Sequence, residues 1–194
     1  MTDTPINRVA RERLPKNLQD QWDWVNGLVD DPTCVEVLGN HPPLATWYFE
    51  QFYGQLFYNG NPDMLVDVRT KEMLRLRLSK QHGCMLCNRN NTIACLQAGI
   101  SQEQIDNYLN PTEELFSKKD LAVLELADQM LLHNHGGRLT KNLYDRLKEH
   151  FTDAQIVEMG HMCAVMTGYL KLMFAFNLVP REEYCPIRAD LAAE

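Results

Sequence analysis

The chain has 194 residues, 45% of them hydrophobic, six cysteines and a formal net charge of −7. At this length one core buries roughly 70% of the unfolded surface, so folding needs no disulfide staple. The acidic balance argues against nucleic acid as a partner, because nonspecific binding rests on clustered Lys and Arg.

The first residues, from Met1 to Arg13, are polar and mixed in charge, without the apolar stretch of a secretory signal. Cys34, Cys95, Cys163 and Cys185 are scattered singly among apolar neighbours, the pattern of buried thiols in a reducing compartment, here expected to be the cytoplasm. The greasiest segment, Met159 to Leu178, is broken by Lys171 and Asn177 and falls short of a bilayer span. It reads as a buried helix, and no membrane partner is expected.

Helical spacing recurs along the chain and no strand pattern of useful length is found, so the expected class is all-α, multi-helical, with about eight helices. Leu14, Leu18, Trp22, Val25 and Leu28 form an apolar stripe, and Asp31-Pro32 opens a short helical turn closed by Gly39. Pro42-Pro43 opens an aromatic helix that stops at Asn59-Gly60-Asn61-Pro62. Asp67 caps the next helix, through about Lys80, and His82-Gly83 breaks the chain before a helix from Cys84 to Gly99. Ser101 with Gln104, and Thr152 with Gln155, have capping-box spacing, and Ser117 and Thr140 are further caps. These start a helix through Leu121 and Leu131, one from Leu143 to Phe151, and a long last helix stopped by Pro180.

A short echo, Leu96-x-x-x-Ile100-Ser101-x-x-Gln104-Ile105 against Leu147-x-x-x-Phe151-Thr152-x-x-Gln155-Ile156, suggests a helix pair used twice. No linker divides the chain. One domain over 1–194 is expected, with a core at about 41–180, an N-terminal helical extension at about 14–40, and loosely packed ends before Leu14 and after Pro186.

Chemistry concentrates at Cys84-Met85-Leu86-Cys87. Two cysteines three apart at a helix start can close a disulfide, and the first-turn amides favour a thiolate. Cys84, Cys87, Asn91 and Cys95 share one face, but Cys95 lies roughly 12 Å beyond Cys87, too far to share a zinc ion. A structural zinc would need two further ligands, and no second Cys-x-x-Cys or His-x-x-x-His supplies them. Redox chemistry is weighed against inert core thiols, and the residues around the pair favour the former.

Glu72-Met-Leu-Arg-Leu-Arg-Leu-Ser79, Gly83-Cys84-Met-Leu-Cys87, Ala98-Gly99-Ile100-Ser101, Leu121-Ala122-x-Leu124-x-Leu-Ala127-Asp128 and Thr152-Asp-Ala-Gln-Ile156-Val-Glu158 follow one another in order. Together they resemble the alkylhydroperoxidase D-like, or carboxymuconolactone decarboxylase-like, family over about His41 to Pro180. The most specific part is Glu72 placed twelve residues ahead of Cys84. The resemblance implies an oxidoreductase in which Cys87 is oxidised by a hydroperoxide to a sulfenic acid, Cys84 resolves it as a disulfide, and Glu72 helps draw off a proton. It also implies a multi-helical orthogonal bundle, a homo-oligomer, no bound cofactor, and an external dithiol reductant, lipoyl or thioredoxin-like. Asn91 stands where the family carries its relay histidine, and asparagine takes no proton. Activation of Cys87 then falls to Glu72 through water, the helix terminus, or His82 beside the motif.

The candidate catalytic residues are therefore Cys84, Cys87, Glu72 and His82. Glu72 is read as inward-facing with a raised pKa, against a surface carboxylate paired with Arg75 or Lys71. Glu158-x-x-His161 has the spacing of a di-iron motif without the rest of the set, so no metal is assigned. The aromatics from Trp47 to Tyr58 are read as core or subunit interface rather than channel lining. The rival functions are a decarboxylase-type lyase on a small carboxylated lactone and a non-enzymatic helical assembly protein.

Overall fold

The computed structural model describes residues 2–58 and 61–186, and among them the chain is helical without a strand: nine α-helices, one π-helix and a 3-10 turn at Arg11–Arg13. α1 (Lys16–Val29) follows Pro15, buries Leu18 and Val25, and ends where Asp30 turns left-handed at φ 54°. α2 (Thr33–Leu38) starts beside Asp31, whose carboxylate accepts from the Thr33 amide at 3.2 Å.

α3 (Pro42–Thr46) passes directly into a π-helix over Trp47–Phe57, where one continuous aromatic helix was expected. The wider turn brings rings five residues apart together: Tyr48 with Tyr53 at 5.2 Å, Phe52 with Phe57 at 6.3 Å and Tyr53 with Tyr58 at 6.2 Å between centroids. Those ring contacts accompany the poorer backbone geometry that keeps π-helices rare. The expected stop lies partly outside the described residues, since Asn59 and Gly60 fall there.

α4 (Val68–His82) is the central helix, packed by α5 (Met85–Gln97), α7 (Lys118–Gln129) and α9 (Asp153–Ala175). Asp67 caps it by accepting from the Thr70 amide at 2.8 Å. Its charged side chains are buried with partners: Lys71 Nζ lies 3.0 Å from Glu158 Oε1, and Arg77 holds Asp128 through Nε at 2.7 Å and Nη2 at 2.8 Å. Such pairs fix register rather than add net stability, because desolvation offsets much of the attraction.

The remaining starts follow the side-chain rules. Ser101 and Gln104 form a capping box at α6 (Gln102–Asp106), Ser117 and Asp120 at α7, and Thr152 and Gln155 at α9, while Thr140 caps α8 (Lys141–Lys148). α9 ends at Ala175 rather than running on to Pro180, because Asn177 takes a left-handed φ of 53° and reverses the chain. The segment before Leu14 is not loose. The Val9 amide donates to Glu36 O at 3.1 Å, Arg8 pairs with Glu36, and the Thr2 amide donates to Asp31 at 2.7 Å. Residues beyond Pro186 lie outside the described part.

After α9 the chain doubles back over the junction of α4 and α5. Glu182 N donates to Gly83 O at 2.8 Å and Met85 N donates to Pro180 O at 3.1 Å, a single antiparallel bridge that pairs Cys84 with Arg181. Gly83 has φ 64°, and a Cβ there would sit 2.7 Å from the Cα of Cys185. Gly99 is equally left-handed (φ 83°) but opens on free space. Gly83→Ala is therefore expected to lose about 1–3 kcal/mol more unfolding free energy than Gly99→Ala in urea denaturation. Equal losses would mean that the strap does not press on the junction.

Candidate functional site

The site begins with a cap. Cys84 is the N-cap of α5, and its Sγ accepts from the Cys87 amide at 3.3 Å, the place a Ser or Asp side chain usually fills. The same sulfur is joined to Cys87 Sγ as a disulfide, with the Cα atoms 5.2 Å apart. The two sulfurs differ in access. Cys84 is fully buried under the C-terminal strap, whereas Cys87 is partly exposed on the wall of a cavity of about 260 Å³.

That cavity lies between α1, the π-helix, α4, α5 and α9. Its polar end carries Arg75, Tyr58, Ser79 and Asn91, and its apolar part includes Met166, Leu170 and Met173. Arg75 Nη1 donates to the Tyr58 hydroxyl at 2.7 Å and to Glu72 Oε1 at 3.2 Å, while Tyr58 donates to Glu72 Oε1 at 2.9 Å. The guanidinium also stacks over Tyr53, 4.5 Å from the ring centroid.

Glu72 is inward-facing and also paired with Arg75, so it combines the two readings of this carboxylate. It is fully buried, and burial raises its pKa above the usual carboxylate range against the pull of Arg75 and Tyr58. It does not line the cavity itself; Arg75 and Tyr58 stand between, as its two hydrogen-bonded contacts to the wall. Asn91, in place of a relay histidine, is a fixed wall group: its Nδ2 donates to Ser79 Oγ at 3.0 Å and to Arg75 O at 3.3 Å.

His82 is not brought to the site. Its Nδ1 lies 2.7 Å from Leu78 O and its Nε2 accepts from the Leu132 amide at 2.9 Å, which only the neutral ring protonated at Nδ1 satisfies. Burial, with a small push from His133, lowers its pKa to about 4 despite the Leu78 hydrogen bond. The ring is buried and absent from the cavity wall, so the proton-handling role gives way to a structural one: it ties α4 to the turn after α7.

The single cysteines are all buried. Burial pushes the Cys34 and Cys163 thiols up to about 12 and raises Cys95 further, which leaves them inert at neutral pH. Glu158 is spent on Lys71 and on the amides of Leu65 and Val66 at 2.7 and 3.3 Å, and His161 is exposed. Among the described residues no helix is long and apolar enough to cross a membrane.

Sequence reasoning missed several members of the site. Tyr48, Phe49, Tyr53 and Tyr58 line the cavity rather than serving only as core, while Phe52 and Phe57 are buried. Trp24, Val25 and Leu28 of α1 supply another wall, so the N-terminal helix belongs to the site. The aromatic run was the available signal, but its π-helical turn sorts wall rings from core rings in a way that α-helical spacing misassigns.

No protein-family model matches the chain. The chain is similar to the uncharacterized protein YdfG of Bacillus subtilis (strain 168), 28% identical over 91 residues, which is 46% of this chain. The match spans 61% of the length of that relative.

His82 generates a pH test. Its folded pKa of about 4 lies below the ordinary 6.5. Between those values the unfolded chain binds a proton that the folded chain refuses, so stability is full above the upper value and falls as pH drops through the window. The loss is on the order of 3 kcal/mol when complete. The stability gap between wild type and His82→Gln should therefore shrink from about pH 7.5 to about pH 4.5 in chemical denaturation. A gap independent of pH would show that the ring titrates normally.

Proposed function

We propose that the chain is a thiol-dependent peroxidase of the alkylhydroperoxidase D-like type, which reduces hydroperoxides with Cys87 and Cys84. The observation that carries this reading is the unequal placement of the two sulfurs: Cys87 at the cavity wall, Cys84 behind it at the helix cap. A peroxide needs an accessible thiolate, and a resolving thiol needs only to reach its neighbour.

The reduced Cys87 thiolate sits in the first turn of α5, at the partially positive end of the helix dipole. Arg75, on the same cavity wall, adds guanidinium hydrogen-bond donors, its charge being shared with the buried Glu72. Cys87 Sγ attacks the distal oxygen of ROOH; the O–O bond breaks, ROH leaves after taking up one proton, and Cys87 becomes a sulfenic acid. Cys84 Sγ then attacks Cys87 Sγ, the S–OH bond breaks, and water leaves with the proton of the Cys84 thiol. The sum is ROOH plus two thiols giving ROH, water and a disulfide. An external dithiol, lipoyl or thioredoxin-like, supplies the two electrons for return, entering at Cys87 because the strap covers Cys84.

Glu72 acts through Arg75 and Tyr58 as a positioning residue. Cys87→Ser should lower hydroperoxide consumption at least about 100-fold, since no thiolate remains to attack. Cys84→Ser should consume one equivalent and stop, leaving a Cys87 sulfenic acid that dimedone traps. Retained turnover in Cys87→Ser would contradict the reading and favour the lyase alternative; absence of any turnover in the wild type would favour the assembly protein.

A further inference from the structure

The cavity beside Cys87 is larger and more selective than hydrogen peroxide requires. We infer that it binds an uncharged, compact organic molecule of one-ring size, seated with a single oxygen function against Arg75 and Tyr58; as a statement about substrate this rests on the peroxidase reading. An apolar cavity of about 150 Å³ accommodates benzene, so about 260 Å³ corresponds to roughly ten non-hydrogen atoms. Hydrogen peroxide leaves most of that space to water and gains nothing from the apolar walls, and a long-chain lipid hydroperoxide exceeds the cavity in volume.

The walls suit a ring. Tyr48 and Tyr169 stack with centroids 3.5 Å apart and 8° between planes, and Tyr53 stands edge-on to Tyr48. These packed rings beside the thioethers of Met166 and Met173 make a surface that fits aromatic or branched hydrocarbon.

The polar end selects against charge. Arg75 spends Nη1 on Tyr58 and Glu72, while its Nε and Nη2 make no hydrogen bond among the described residues and remain donors at the wall. Glu72, buried against it, already balances the guanidinium. A carboxylate entering would give up its water for a cation that is already neutralised, whereas a hydroperoxide or hydroxyl oxygen accepts from Arg75 at far lower desolvation cost.

Binding is tested without chemistry by titrating the disulfide form of the full chain calorimetrically. The probes are cumyl alcohol, its near-isosteric carboxylate 2-phenylpropionate, and tert-butanol. Cumyl alcohol should bind at least about tenfold tighter than either of the others. Leu28→Trp, which projects a larger ring into the same cavity from α1, should weaken cumyl alcohol at least about tenfold with unchanged helical circular dichroism. Gln21→Trp, two turns earlier on the same wall, is the second variant should the first not fold. Equal or tighter binding of the carboxylate, or no saturable binding of cumyl alcohol, overturns the inference. If cumyl alcohol binds but cumene hydroperoxide leaves both cysteines reduced, the cavity assignment stands and the peroxidase reading falls. If hydroperoxides oxidise the pair while cumyl alcohol does not bind, the reverse holds.

Discussion

The left-handed backbone at Gly83 (φ 64°) is the constraint on which the rest depends. It ends α4 and lets α5 begin within two residues, so Cys84 emerges as a helix cap and Cys87 falls in the first turn. The absence of a side chain at Gly83 also lets the returning C-terminal segment lie flat on the junction, where Glu182 and Pro180 close the backbone bridge. That segment seals one sulfur and leaves the other to the cavity. The difference between Cys84 and Cys87 is therefore made by backbone geometry, and neither sulfur needs a neighbouring histidine to acquire its place.

Around this junction α4 works as a carrier of charge into the core. Lys71, Glu72 and Arg77 are buried, and Arg75 is largely so; each meets a partner on another element or on α4 itself. Ion pairs of this kind break even energetically at best but are costly to misplace, so they hold α4 at one rotation. The rotation presents Arg75, Leu78 and Ser79 to the cavity, while His82, further along the same face at the end of α4, is taken up by Leu78 O and the Leu132 amide. With Glu72 behind Arg75, the wall keeps hydrogen-bond donors without a large net charge, which connects the core's electrostatics to the kind of molecule the cavity admits.

Much of the local structure was legible in the amino-acid order. Ser101, Thr152, Asp67 and Thr140 act as caps because one side-chain oxygen can reach an orphan amide, a short-range rule that needs no tertiary knowledge. The start of α5 at the dithiol followed from the same logic. What was hidden depended on contacts distant in the chain. The strap over Cys84 joins residues about one hundred positions apart, and the Leu132 amide that occupies His82 lies fifty residues on. The π-helix was hidden for a different reason: its five-residue ring pairing mimics neither the helical nor the strand period, so Tyr48 and Tyr53 read as ordinary core. Asn91 was correctly seen to lack a proton-accepting group, yet its work of tying Ser79 to α5 could be read only from coordinates.

The central claim is that, of the six cysteines, Cys87 alone combines access with a stabilised thiolate. Competitive alkylation of the reduced protein with limiting iodoacetamide near neutral pH, mapped by mass spectrometry to each cysteine, tests it most directly. Cys87 should be labelled first and at a rate that stays high at pH values below the ordinary thiol range, while Cys34, Cys95 and Cys163 remain unlabelled until the protein unfolds. Labelling that begins at Cys84 or at the buried single thiols, or a Cys87 that reacts no faster than an unperturbed thiol, would contradict the account.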